Sequence, residues 1–278
     1  MTAHSSPLLS LLAAVSLVLA CNGCAGSGEE PIRILHDARR PIGLGTFPFL
    51  ERTALVAALE PLSGYLSANL GRTVRVRVSA SYADLDRALA QHRVDIGWFT
   101  PPGHSGSSAM ETLCRPVGPG GLPHHGLIVA RKSDGPMTLA SLAGRRFAYV
   151  DRISKSGYLY PNRLFSAHAI DPLRYFASVA FAGNHDRVIE QVLSGAADAG
   201  AVSDMLLRDP RFANLFETRL AVVSRTEPIP EDPIVASPEL EPELKKNVKD
   251  LLLGMADTPA GKKTLEQLSR TLGIERFE

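Results

Sequence analysis

From residue 32 onward the chain alternates short strand-like runs with helix-like segments, and this alternation narrows the fold more than any other property. The strand-like runs lie at residues 32–35, 74–79, 94–98, 126–130, 146–150, 175–181, 197–202, 220–224 and 234–236. Helical patterns occupy 51–70 (broken or kinked at Pro61), 82–91, 157–167, 185–193, 238–253 and 259–272. Strands separated by helices of about ten residues are the pattern of crossover connections, so an α/β fold with largely parallel sheets is expected. With 278 residues there is chain for one or two cores, and the strand count suits either one doubly wound sheet or two smaller lobes. Lys+Arg 30 against Asp+Glu 29 gives a net charge of +1 without a basic run or acidic tail, which points away from a nucleic-acid surface.

The N-terminus stands outside this pattern. Residues 8–20 are apolar but too few to span a bilayer, and residues 1–20 hold no Asp, Glu, Lys or Arg. The run ends in Val18-Leu19-Ala20-Cys21, which resembles the lipobox of bacterial lipoproteins. That resemblance implies a signal peptide at 1–20, a lipidated Cys21, and a flexible tether at 21–30. Its acyl chains would hold the protein at the periplasmic or outer face of a bacterial membrane. The usual Lys or Arg ahead of the apolar run is missing, leaving His4 and the terminal amine. Cys24 is a weaker alternative site, and a Cys21–Cys24 disulfide or metal clip stays open, although two thiols alone make a poor metal site. Cys114 reads as a small buried hydrophobe.

The segment from Tyr149 to Pro161 carries the clearest chemical signal. An apolar strand ends at Val150, small hydroxyl residues and Gly157 follow, and a helical pattern begins at Tyr158. A strand, a Ser-Lys-Ser-Gly turn and a helix aim free backbone N–H groups and the positive helix end at one point, where a tetrahedral oxyanion fits. In the plain reading Ser154 or Ser156 merely caps the helix. His185, in Gly183-Asn184-His185-Asp186, falls in the first turn of the next helix, either exposed or aimed at an anion. Asp232 lies in the rigid turn Ile229-Pro230-Glu231-Asp232-Pro233, where its ordinary role is turn formation. Tyr82 opens a helix after a strand, and Trp98 and Phe99 end another strand and read as core in preference to ligand shelf.

Six motifs in this order resemble the substrate-binding proteins of bacterial ABC importers for phosphonate, phosphite and phosphate. They are Ser81-Tyr82-Ala83, Val94-Asp95-Ile96-Gly97-Trp98-Phe99, Val150-Asp151-x-x-Ser154-x-Ser156-Gly157-Tyr158, Gly183-Asn184-His185-Asp186, Gly195-x-x-Asp198-Ala199-Gly200-Ala201-Val202, and Pro228-Ile229-Pro230-x-Asp232-Pro233-Ile234-Val235. The likeness spans about residues 45–236. It implies a two-lobe type II periplasmic-binding-protein fold, α/β in class, with a hinge and an interlobe ligand cleft. The crossings would fall near 130–133 and 224–228, giving one lobe of 31–131 plus 227–278 and a second of 132–226. The family roles carry over to Ser154, Lys155 (through its backbone), Ser156 and Gly157 as the oxyanion cradle, to His185 as a donor, and to Tyr82 from the opposite lobe. Asp232 matches a carboxylate that faces a protonated ligand oxygen or a neighbouring donor.

The chain also departs from the family pattern. Phe99 stands where relatives often carry Tyr, so it can pack on a ligand but cannot donate. Lys155 replaces a small or hydroxyl residue, its ammonium either adding charge to the site or pointing to water. Residues 202–205, where aminoalkylphosphonate binders meet the amino tail, give no clear match, and Asp204 is the residue there that would supply one if its helix turned it into the cleft. Phosphite, phosphate or a short alkylphosphonate is therefore expected to outrank 2-aminoethylphosphonate. His124 and His125, adjacent rather than at helical spacing, are assigned to the entry of the strand at Gly126 and given no ligand role.

The expected protein is thus a monomeric, lipid-anchored binding component of an importer, partnered by a permease and its ATPase, without cofactor, metal or nucleic acid. Two alternatives have different signatures. A sensory module of the same fold would serve a membrane signalling partner. A hydrolase would use Ser156, His185 and Asp232 as nucleophile, base and orienter, but Ser-Lys-Ser-Gly lacks the Gly-Xaa-Ser-Xaa-Gly elbow.

Overall fold

The computed structural model describes residues 40–98, 110–121, 123–135 and 137–278. Cys21, Phe99 and the strand expected at 32–35 lie outside these residues. In chain order the elements are β1 (Ile42–Thr46), α1 (Arg52–Leu70), β2 (Val74–Val78), α2 (Tyr82–Ala90), β3 (Ile96–Trp98), β4 (Glu111–Cys114) and β5 (Pro116–Val117). They continue with β6 (Gly126–Arg131), β7 (Arg146–Tyr149), α3 (Tyr160–Ala167), α4 (Pro172–Tyr175), β8 (Ser178–Phe181), α5 (His185–Ser194) and β9 (Ala199–Ser203). The last are α6 (Ala213–Thr218), β10 (Leu220–Arg225), β11 (Ile234–Ala236), α7 (Pro242–Leu253), α8 (Pro259–Leu272) and β12 (Arg276–Phe277).

Ten of these strands form two five-stranded sheets, ordered β2-β1-β3-β11-β4 and β10-β6-β9-β7-β8, one in each lobe, and β12 pairs antiparallel with β5. Each sheet is half parallel. β1 pairs in parallel with β2 and β3, and β7 with β8 and β9. β11 runs antiparallel to β3 and β4, and β6 antiparallel to β9 and β10. The largely parallel expectation therefore holds for the helix-linked strands and fails for those next to the crossings, which enter their sheets without a crossover helix. β6 also moves the first crossing. Gly126–Arg131 already hydrogen-bonds within the second sheet, so the crossing lies before Gly126 rather than at residues 130–133. His124 bridges Ile229 of the returning segment just outside both sheets.

Local sequence explains the packing that positions the strand ends. α1 buries Leu55, Leu59, Leu62 and Leu66, one stripe at helical spacing. Its N-cap is Glu51, whose carboxylate accepts from the Thr53 backbone N–H at 2.7 Å, and the helix continues through Pro61. β1 escapes sequence reading because Gly43 and Gly45 blank the period-2 signal on one face. A Cβ on Gly45 would lie 2.5 Å from Val94 Cγ1, so that blank face is what lets the sheet and α2 close together. In the second lobe, Phe147 on β7 stacks on Phe176 at 4.5 Å and meets Phe165 edge-on at 5.5 Å. Residues of this size supply about 1.5–3 kcal/mol each on burial, enough to hold the end of β7 in place.

Candidate functional site

A cavity of about 80 Å³ opens between the lobes, lined among others by Trp98, His124, Ser156, His185, Asp204 and Asp232. A buried water occupies roughly 10–15 Å³ on such a measure, so the space suits several waters or one small anion.

The two cradle serines have separate tasks. Ser154 Oγ accepts from the Gly157 N–H at 3.1 Å, capping a single π turn over Lys155–Leu159 that runs into α3. Ser156, buried at 6 % exposure, lines the cavity with its hydroxyl outside that cap. The plain capping reading is right for Ser154, and the ligand-facing reading suits Ser156. Gly157 is required by contact: a Cβ there would fall 2.4 Å from Val150 Cγ2, so a side chain would lift the turn off the strand end. Tyr82 does not line the cavity. Its ring stacks on Phe47 at 4.6 Å, and its hydroxyl interacts with Ser154 across the lobes. Burial raises the phenol far above the ordinary tyrosine range, so it stays a neutral donor.

His185 is fully enclosed, and its tautomer is fixed by the backbone. The Ser203 N–H donates to Nδ1 at 3.2 Å, which leaves the ring proton on Nε2. Burial, then repulsion by His124, pushes its pKa down to about 3. The ring is therefore a neutral N–H donor throughout the physiological range. The same residue ties the lobes together, because its backbone N–H donates to Phe49 O at 3.0 Å. Beside it, the Glu51 N–H donates to Asp186 Oδ2 at 3.3 Å, while Arg211 Nη1 holds that oxygen at 2.7 Å.

The opposite wall is acidic. Asp232 approaches the cavity on the segment before β11, its backbone carbonyl accepting from Trp98 Nε1 at 3.1 Å. Lys155 Nζ lies 2.5 Å from Asp232 Oδ1 and donates to Pro230 O at 3.0 Å. Its ammonium is thus neither a bare charge on the site nor a solvent group. His124, expected to be peripheral, lines the cavity and sets Nδ1 3.0 Å from Glu231 Oε1. Burial alone would lower its pKa, but the bond to Glu231 and the charges of Glu231, Asp232 and Asp204 raise it overall. His125 keeps the structural place assigned to it, with Nδ1 at 2.9 Å from Thr226 O at the crossing.

Within residues 202–205, Asp204 turns toward the cleft. It is buried and lines the cavity, with Oδ2 at 3.2 Å from Arg225 Nη1. Its Oδ1 has no hydrogen-bond partner among the described residues. A positional signal existed for this residue, since ligands of open α/β sheets gather beyond the carboxyl ends of the strands. Ser154 to Ser156 follow β7, His185 follows β8, and Asp204 directly follows β9. His124, ahead of β6, had no such signal.

A model of the family described as ABC transporter, phosphonate, periplasmic substrate-binding protein matches residues 44–278. The chain belongs to this family. The phosphate-import protein PhnD of Mycolicibacterium smegmatis is 24 % identical over 255 residues, covering 86 % of this chain and 79 % of that protein. A binding protein component of an ABC phosphonate transporter from Pseudomonas aeruginosa superposes with a TM-score of 0.75 at 22 % identity, over 86 % of this chain and 81 % of the other. PhnD1 of Prochlorococcus marinus, solved with methylphosphonate, gives a TM-score of 0.69 at 17 % identity, over 87 % and 93 %. The fold is accordingly the two-lobe type II fold of periplasmic binding proteins. The geometry accords with a transport binding protein. His185 Nδ1 is taken by a backbone N–H rather than by a carboxylate, and a ring with a pKa of about 3 is a weak general base.

Proposed function

We propose that this phosphonate-binding protein captures a small phosphorus oxyanion (phosphonate, phosphite or phosphate) in the interlobe cleft and presents it to an ABC permease and its ATPase. The observation that carries this reading is the Ser156 hydroxyl beside a His185 ring whose free proton is fixed on Nε2. Both are neutral donors in a closed space, the environment in which hydrogen bonds to an anion are strongest. Micromolar capture needs about −8 kcal/mol, and a hydrogen bond to a charged group contributes about 1.5–3 kcal/mol, so several such bonds account for it. The unpartnered Asp204 Oδ1 can accept from a P–OH, which favours ligands that retain a proton.

Closure is the transport step. The ligand bridges the lobes, and its better contacts in the closed state shift the population. We take the hinge to be the pair of segments bridged by His124 and Ile229, with a lobe on either side. Anchoring belongs to the same proposal: acylation of Cys21 would keep the protein beside its permease, and mass spectrometry of the mature N-terminus checks it. Release from membranes by Cys21→Ser is expected, and an unmodified soluble mature form contradicts the anchor.

The ligand is tested by thermal shift with phosphate, phosphite, methylphosphonate, 2-aminoethylphosphonate and sulfate. A ligand of the native state raises stability by RT ln(1 + [L]/Kd), so phosphorus oxyanions should raise Tm more than sulfate, which carries no proton at neutral pH. No response to any phosphorus oxyanion would contradict the reading.

A further inference from the structure

Three carboxylates line the cavity, and each is matched by a basic group of the chain itself. Asp204 faces Arg225, Glu231 faces His124, and Asp232 faces Lys155. Lys155 differs from the other two basic groups because it belongs to the oxyanion cradle, between Ser154 and Ser156. Its side chain leaves the second lobe and reaches the segment of Pro230 and Asp232 that leads into β11 of the first sheet. Both partners are largely enclosed, with side-chain exposures of 18 % and 13 %. Asp232 lines the cavity, so the pair stands at the acidic wall that a substituent on a cradle-bound oxyanion would face.

We infer that Lys155 determines the charge class of the ligand: its ammonium occupies the position at Asp232 that a cationic ligand tail would need. The inference rests on the proposed oxyanion function and specifies which oxyanions the cleft accepts. With Asp232 neutralised, an uncharged substituent such as hydrogen or methyl leaves the Lys155–Asp232 pair intact. An ammonium-bearing tail would have to displace Lys155 or lie unpaired near it, and two like charges at this separation in a closed site repel strongly. The acidic wall thus looks receptive to amines by residue type and is closed to them by its internal pairing. The same contact spans the lobes, so Lys155 couples the choice of ligand to closure.

The test is calorimetric titration of the full chain and its variants with methylphosphonate and 2-aminoethylphosphonate. The wild type should prefer methylphosphonate. Lys155→Met keeps the aliphatic stem and removes the charge, and it should move the affinity ratio toward the aminated ligand by about tenfold or more. Adding Asp232→Asn to that variant removes the exposed carboxylate and should restore the wild-type ratio, the coupling expected of a direct pair. Asp232→Asn alone leaves the ammonium free, and it should widen the preference for methylphosphonate. This single variant also keeps the test informative if Lys155→Met folds poorly. An unchanged ratio in Lys155→Met and Asp232→Asn, or a double variant that keeps the Lys155→Met ratio, overturns the role of Lys155. A wild type that binds neither phosphonate, nor phosphite, nor phosphate overturns the functional reading instead.

Discussion

On one side of the cleft a ligand meets neutral donors, Ser156 and His185, set just beyond the ends of β7 and β8. On the other it meets His124, Glu231 and Asp232, charged or chargeable groups on the segments that cross between the lobes. The first wall is rigid by construction, its π turn capped by Ser154 and its imidazole held by the Ser203 N–H. The second is organised by ion pairs, of which Lys155–Asp232 reaches over the cleft, so its state depends on pH, on salt and on closure. The contrast separates two tasks, with affinity residing in the donors and selectivity and response to conditions in the charged wall.

The largest effect should come from the donor wall. His185→Ala and Ser156→Ala are each expected to weaken phosphorus oxyanion binding by about 10- to 100-fold, the loss of a hydrogen bond to a charged group, while the protein stays folded. Calorimetry measures this loss. Ser154→Ala should behave differently despite its place two residues away. Losing the cap costs roughly 0.5–2 kcal/mol of stability, read by denaturant melt, with a smaller effect on affinity. Equal binding losses for Ser154→Ala and Ser156→Ala would break the division of labour between the serines.

The pH response sharpens the comparison next. His185 has a folded pKa near 3 against an ordinary 6.5, so below pH 6.5 the unfolded chain takes up a proton that the folded chain refuses. Stability should therefore fall as pH drops from about 6.5 toward 3, by up to about 1.4 kcal/mol per pH unit, and His185→Gln should flatten that slope. His124 has the opposite sign. Its raised pKa contributes stability that is present below 6.5 and is lost as pH rises through the folded value. Affinity for the oxyanion should weaken over the same rise, and His124→Gln should abolish that dependence. Melts and titrations from pH 4 to 8.5 read both. The smallest effect belongs to the closing contact at α5. Asp186→Asn weakens the bond from the Glu51 N–H and should reduce affinity by a few-fold, about 1 kcal/mol, through the closed population rather than through the ligand.

Legibility from sequence follows the same division. The donor wall could be read because strand, small-residue turn and capped helix are local patterns, and Ser156, Gly157 and His185 fall at their junctions. The helix-linked strands were legible for the same reason, apart from β1, whose Gly43 and Gly45 removed the alternating signal. The charged wall was legible only at Asp232. His124 and His125 look alike in the chain, and only the crossing turns one ring to Glu231 and the other to Thr226 O. Asp204 can be named from sequence but not placed, because the strand motif ends at Val202, while β9 continues one residue further and delivers the carboxylate to the cavity. Lys155 had a recognised position but no visible partner, since Asp232 lies 77 residues away and meets it only when the lobes come together.

A crystal structure of the protein with methylphosphonate tests the central claim most directly. The account predicts the phosphorus oxygens within hydrogen-bond distance of Ser156 Oγ and His185 Nε2, with the methyl group toward an intact Lys155–Asp232 pair. A ligand bound elsewhere, such as in the groove of Pro48, Asn184 and Glu190 on the far side of α5's first turn, would contradict it, as would a bound oxyanion that leaves both donors unengaged.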